Sequence, residues 1–238
     1  METGDARTRL LHAAGQVFAE RGYQAATVRE IAARAGVNPA SVNYYFRDKE
    51  SLYFEAVNLA RELRAEQFPY PEHPPGTPAE VRLRAFVATM THRMLDEEHV
   101  PWNTQLMLRE ILQPTDACQR LVREYYEPQF NVLMGIIAEL LPPGTPEHIC
   151  RKIGFSIVGQ CVYYRVGRAA VRLMTPESEW GAHFQVDQIA DHIVRVALAA
   201  MNTRPAYSVE DIQQENKAVA NLAVDRVATT PSAVSEDD

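Results

Sequence analysis

Three cysteines in 238 residues, at positions 118, 150 and 161, leave an odd count and no Cys-x-x-Cys pair. That argues against a disulfide framework or a zinc cluster and makes a reduced cytoplasm the expected setting. No uninterrupted apolar run approaches the length of a membrane span, and Met1 to Arg7 hold no apolar signal core, so no membrane role is expected. A glycine-rich phosphate loop, a nucleophile elbow and a paired acid–base motif are all missing, which leaves an enzyme reading without support and implies no cofactor. An excess of positive charge is missing too. The formal net charge is −7, carried wholly by residues 71–238, because residues 1–70 hold nine basic and nine acidic side chains. Within residues 6–64 the balance is nine basic to six acidic. An acidic chain is poor at non-specific nucleic-acid binding but is compatible with a specific reader whose basic groups share one face. What remains is a chain 46% hydrophobic and 23% charged, the balance of an ordinary globular protein.

The most informative stretch is residues 25–50. Thr27 is a good N-cap with Glu30 three residues on, and Val28, Ile31, Ala32 and Ala35 repeat at helical spacing. Gly36 stands where a left-handed residue ends a helix, Val37 is an apolar pin, and Asn38 with Pro39 opens a second short helix. The product is a helix-turn-helix. In the second helix Val42 and Phe46 face inward, leaving Pro39, Ala40, Ser41, Asn43, Tyr44 and Tyr45 mostly outward. Adjacent tyrosines on a short surface helix suit a major groove, where hydroxyls reach phosphates and small residues meet base edges. The competing reading, stronger for Tyr45 than for Tyr44, is that they pack under the next helix. Asp48 caps that helix, and Lys49 in its first turn can meet a phosphate that a helix N-terminus also attracts. Leu10, Leu11, Ala14, Val17 and Phe18 give a supporting helix over residues 6–21, ended by Gly22.

Three runs, Thr8–Tyr23, Thr27–Val37 and Tyr44–Tyr53, keep fixed internal spacing, and in this the chain resembles the TetR family of transcriptional regulators. The resemblance implies an all-α protein: an N-terminal three-helix bundle with a helix-turn-helix, then a larger helical ligand-binding and dimerisation domain. It also implies a homodimer, a double-stranded DNA operator and a small-molecule effector. By position, Arg29 matches a residue that reads guanine in some members. Thr27, Tyr44 and Lys49 match phosphate contacts, and Ala40 and Asn43 match base-facing positions. The segment from Trp102 to Pro128 is similar to a subgroup tied to export pumps and antibiotic tolerance.

The expected organisation is a DNA-binding domain over 1–50, a connecting helix over 51–68, a proline-rich connector over 69–77, a ligand-binding and dimerisation domain over 78–204, and a partly disordered tail over 205–238. Leu52, Ala56, Leu59 and Leu63 form the inner stripe of the connecting helix. Five prolines in residues 69–78 give a stiff extended link. His92, Asp96 and His99 share one helical face, but a solvated polar stripe outweighs a metal site, and no metal is expected. In the helix over 102–113, Trp102, Leu106, Ile111 and Leu112 line a core. Arg109 and Glu110 either turn inward toward a polar ligand or form a surface pair worth little. A helical pattern over 116–141 is interrupted by Pro128, predicting a kink or a break near Tyr126–Glu127. Tyr125, Tyr126 and Phe130 beside it form a pocket wall or an ordinary aromatic core. Together with Trp102, Leu106, Arg109 and Glu110, and with Cys161 and Arg165 further on, they are the candidate ligand residues.

From Pro146 to about Arg172 one helix carries small residues (Gly154, Ser156, Gly159, Gly167). After a loop at 174–185, Val186, Ile189, Ala190, Ile193, Val194, Ala197, Leu198 and Met201 form a stripe wider than one neighbour requires. Two such helices per chain predict a four-helix dimer interface. The functional expectation is a ligand-responsive repressor that binds a palindromic operator as a dimer. The alternative is a helical small-molecule-binding or adaptor protein whose helix-turn-helix contacts protein.

Overall fold

The computed structural model describes residues 5–95 and 101–202, without the side chain of Pro101. All regular structure among them is helical. The head comprises α1 (Ala6–Ala25), α2 (Val28–Ala35), α3 (Ala40–Phe46) and the start of α4 (Lys49–Gln67). The body comprises α5 (Ala79–Leu95), α6 (Pro101–Leu112), α7 (Asp116–Leu121), a π-helical turn (Val122–Tyr126), α8 (Glu127–Leu140), α9 (Glu147–Val166), α10 (Arg168–Met174), α11 (Glu177–His183) and α12 (Val186–Asn202). Met1–Ala200 form one compact unit; Met201 and Asn202 belong to a second. No described helix is long and apolar enough to cross a membrane. The predicted tail over 205–238 lies outside the described residues.

The head is built as its local signals dictate. Leu10, Ala14, Val17 and Phe18 bury one face of α1 against α2 and α4, each large side chain contributing about 1.5–3 kcal/mol. Gly22 takes φ 79°, and the chain makes one further turn to Ala25. The Thr27 hydroxyl caps α2 by accepting from the Glu30 N–H at 3.1 Å. Gly36 closes it at φ 66°, with the Val37 N–H returning to Ala32 O at 3.0 Å. Asn38 Oδ1 accepts from the Ala40 N–H at 2.9 Å, and Asp48 Oδ1 from the Ser51 N–H at 2.7 Å.

Several expectations need correction. On α4 the buried stripe is Leu52, Tyr53, Ala56, Val57, Ala60 and Arg64, while Leu59 and Leu63 are half-buried. The stripe is rotated because α4 packs against α1 and against α6 and α7 as well. Ile111 and Leu112 do not line a core; they are exposed, since α6 turns Trp102, Leu106 and Met107 toward α1 and α4. The helix expected from 146 to 172 breaks at Gly167, and the expected loop at 174–185 contains α11. On α12, Ile189, Ala190, Ile193, Val194, Ala197 and Met201 are already buried within the chain. That stripe therefore does not argue for a partner subunit.

Pro128 disturbs the helix near the expected place, but not as expected. Lacking an N–H, it cannot continue the α ladder, and the five residues from Val122 to Tyr126 widen into a π turn that runs on into α8.

Candidate DNA interface and effector body

Recognition helix α3 is held by two side chains, Val42 and Phe46, both buried in the head core. Its other face is open. Pro39, Ala40, Asn43 and Tyr44 are exposed, Ser41 is half-exposed, and Tyr44 shows 82% of its surface. The Tyr44 ring meets Tyr45 edge-on at 4.8 Å, and Tyr45 packs against the core. The two adjacent tyrosines thus divide the work, Tyr45 anchoring the helix and Tyr44 displayed on it.

The cations of the head separate in the same way. Arg34 forms a two-pronged pair with Glu20 at 2.7 and 2.8 Å, holding α2 on α1 and keeping the Glu20 carboxyl below its ordinary range. Arg7 pairs with Glu55 and covers Phe46, and Arg9 donates to Ala35 O. These are struts. Arg29, exposed on α2, makes no ion pair among the described residues and is available to a base or a phosphate. Lys49 is not displayed. Its ammonium lies 4.7 Å from the centre of the Tyr23 ring and donates to Gln24 O at 3.4 Å, and burial lowers its pKa. To meet a phosphate it must leave Tyr23.

Arg47 was missed by sequence reasoning. It is the only non-glycine residue with positive φ among those described, at 71°, and its side chain is 90% exposed just beyond α3. Such backbone costs about 1–3 kcal/mol and persists where surrounding structure imposes it. Here the buried Phe46 on one side and the Asp48 cap on the other leave Arg47 to absorb the turn. A sequence signal existed only in the short spacing between those two anchors.

The nine candidate ligand residues do not converge. Trp102 and Leu106 are absorbed into the head core. Arg109 and Glu110 part company. The Glu110 carboxylate is fully buried, accepting from the Tyr53 hydroxyl and from Thr115 Oγ1 (2.9 Å) and N (3.3 Å). Arg109 reaches back to Glu20 O at 3.3 Å and lies over Gly22. Tyr125 accepts from Arg93 at 3.0 Å, with Tyr126 half-buried beside it. Phe130 covers Gly154 and stacks on Phe155 at 4.7 Å, joining α8 to α9. Cys161 touches Thr91 of α5 at 3.6 Å, burial pushing its thiol up to about 11. Trp102, Leu106, Tyr125 and Tyr126 thus share one core, while Arg109 and Arg165 line an open cleft of about 320 Å³ apart from it, with Leu108, Leu112 and Val166. Of the His92 set, Asp96 and His99 lie outside the described residues; His92 bonds Asp187 of α12 at 2.8 Å.

A tight helix-turn-helix displaying one open helix, mounted on a multi-helix body, defines a DNA-binding regulator of the helical two-part type. Residues 10–56 match the bacterial regulatory proteins of the tetR family, and residues 79–201 match the C-terminal domain of the HTH-type transcriptional dual regulator CecR. The chain belongs to the TetR family of transcriptional regulators, with a CecR-type C-terminal domain. The HTH-type transcriptional dual regulator CecR of Shigella flexneri is 29% identical over 181 residues, covering 71% of this chain and 80% of that protein. The HTH-type transcriptional repressor KstR2 of Rhodococcus jostii is 49% identical over 51 residues, 21% of this chain and 25% of that one. A TetR-like regulator from Rhodococcus sp. RHA1 shares the fold at TM-score 0.61 and 17% identity, covering 86% of this chain and 100% of that one. AibR, solved with isovaleryl coenzyme A and operator DNA, does so at TM-score 0.58 and 18% identity over 81% and 97% of the two chains.

Proposed function

We propose that this regulator binds a palindromic operator as a homodimer, represses from it, and is released by a small molecule. The observation that carries the proposal is the mounting of the recognition helix. Tyr44 is displayed on α3, α3 rests on α4, and α4 shares one hydrophobic core with Trp102, Leu106, Leu121 and Tyr125 of the body. A change in the body therefore has a packed route to the DNA-reading surface. Coupling of about 1–3 kcal/mol changes operator affinity some 5–150-fold, and linkage makes DNA weaken ligand binding equally. In this reading the ligand favours a dimer whose two recognition helices are wrongly spaced for one turn of DNA. DNA contacts are assigned to Thr27, Arg29, Pro39, Ala40, Ser41, Asn43 and Tyr44, with Lys49 joining when it leaves Tyr23.

We propose the outer face of α9 for the second copy. Ser156, Gly159 and Tyr163 line a groove of about 530 Å³, Gly159 has open space where a side chain would be, and Phe155, Tyr163 and Val166 are exposed.

Selection of bound DNA from a random duplex pool tests the proposal, with Tyr44→Ala as control. Enrichment of one inverted repeat, lost in the variant, is expected. Enrichment of a single half-site overturns the dimer, and no enrichment at low salt overturns the sequence-reading role.

A further inference from the structure

Arg93 is 4% exposed, yet it makes no ion pair among the described residues. Among the described residues its guanidinium meets neutral groups: Phe68 O at 2.7 Å, the Tyr125 hydroxyl at 3.0 Å, Gln129 Oε1 at 3.2 Å and the Tyr70 hydroxyl. The Tyr70 ring lies 4.1 Å from its centre. Removing a cation from water costs several kcal/mol, and buried charges are normally paired. A second group nearby is also unmatched. Asn103, fully buried on α6, has an amide Nδ2 with no acceptor among the described residues, while its Oδ1 accepts from Thr104, whose hydroxyl also donates to Arg93 O. The cluster holds donors in excess, carries positive charge and is walled by aromatic rings.

We propose that Arg93 is the anchor for the carboxylate of a small organic acid with an apolar body. This deepens the ligand-responsive reading above and rests on it. A carboxylate offers two acceptors in the plane of a guanidinium, which suits arginine better than any of its present partners. The apolar remainder has Tyr70, Phe86 and Tyr125 to lie against. Tyr70 belongs to the connector between α4 and α5, which has no regular structure, and stacks on Phe86 at 4.6 Å, so entry past it disturbs no helix. The consequence for DNA follows from the bond to Phe68 O. Phe68 is the C-cap of α4, and Arg64 of α4 donates to Arg93 O in return. A carboxylate that takes the guanidinium releases the end of the helix on which the head is mounted.

The test measures thermal unfolding and operator affinity of the full chain with straight-chain and aromatic monocarboxylates, each compared with its own amide. Two variants are run beside the wild type. Arg93→Gln removes the anchor. Gln129→Glu, nearly isosteric, supplies the missing carboxylate from the chain itself. At least one acid is expected to raise Tm and weaken operator binding about 5-fold or more, with its amide inert and both variants unresponsive. Acid and amide acting alike, no acid acting, or a response that survives in Gln129→Glu and Arg93→Gln overturns the proposal. If neutral or cationic compounds release the operator in all three proteins, the ligand-responsive reading stands and the acid falls. If no compound of any charge acts, both fall.

Discussion

The indole of Trp102 lies flat against the backbone of Gly15, so close that a Cβ at Gly15 would fall inside van der Waals contact with three ring carbons. Position 15 is in the middle of α1, where glycine otherwise weakens a helix by about 1 kcal/mol relative to alanine. Here it is the socket that lets α6 approach α1. Gly15→Ala should gain helix propensity and still lose about 1–3 kcal/mol through overpacking, as read by urea unfolding. A variant more stable than the parent would show that the ring moves freely and the socket is unimportant.

Tyr44 is so exposed that its removal should leave the unfolding free energy within about half a kcal/mol of the parent. Operator affinity should drop about tenfold or more in Tyr44→Ala. Arg29→Ala should do the same but relax sequence preference at one base pair, a contrast that reselection from the random pool detects.

Lys49 must exchange Tyr23 for a phosphate. Lys49→Met should therefore reduce the slope of log affinity against log salt by about one while leaving sequence preference unchanged. An unchanged slope would mean that the ammonium stays on the tyrosine in the complex.

The Glu110 carboxylate holds α4, α6 and the start of α7 together. Glu110→Leu leaves the Tyr53 hydroxyl and the Thr115 N–H without their acceptor and should cost about 3 kcal/mol. Burial, and then the bond to Glu110, push the Tyr53 phenol well above its ordinary 10.0. The unfolded phenol loses its proton near its ordinary value, while the folded one keeps it. The stabilisation is therefore complete below about pH 10 and falls by about 1.4 kcal/mol per pH unit above it for this group. Burial moves Tyr70 in the same direction. Tm measured from about pH 9 to about pH 11 should fall less steeply in Tyr53→Phe than in the parent.

Gly159→Arg should convert the dimer to monomer in sedimentation, because it places a charged side chain in the open groove of α9. Operator affinity should fall with it, since two half-sites are then bound separately. Retention of the dimer would move the interface elsewhere.

The head was legible in the sequence because its determinants are local. Thr27, Gly36, Asn38 and Asp48 each act within three or four residues, and each acts as its position suggested. The body was less legible because its determinants are distant. Trp102 reads as a pocket aromatic until Gly15, far away in sequence, is seen to receive it. Arg109 and Glu110 are adjacent, and nothing in their spacing says that one reaches the end of α1 while the other is buried under Tyr53. Arg93 carried no sequence signal at all, since an arginine near the end of an amphipathic helix ordinarily lies in water.

The π turn before Pro128 sets the angular phase of a rod. A regular α-helix advances about 100° per residue, so residue 133 would stand well around the axis from residue 121. The widened turn absorbs about one residue and brings the two ends back toward the same side. Ala117 and Leu121 can then serve the core of the head while Leu133, Ile136 and Ile137 serve the body. Deleting one residue between 122 and 126 would restore a uniform helix with the apolar stripe of α8 still on its present side, whereas straightening the turn at full length would swing that stripe by about 100°. The two halves of this regulator are thus held in register by a turn that takes up a single surplus residue.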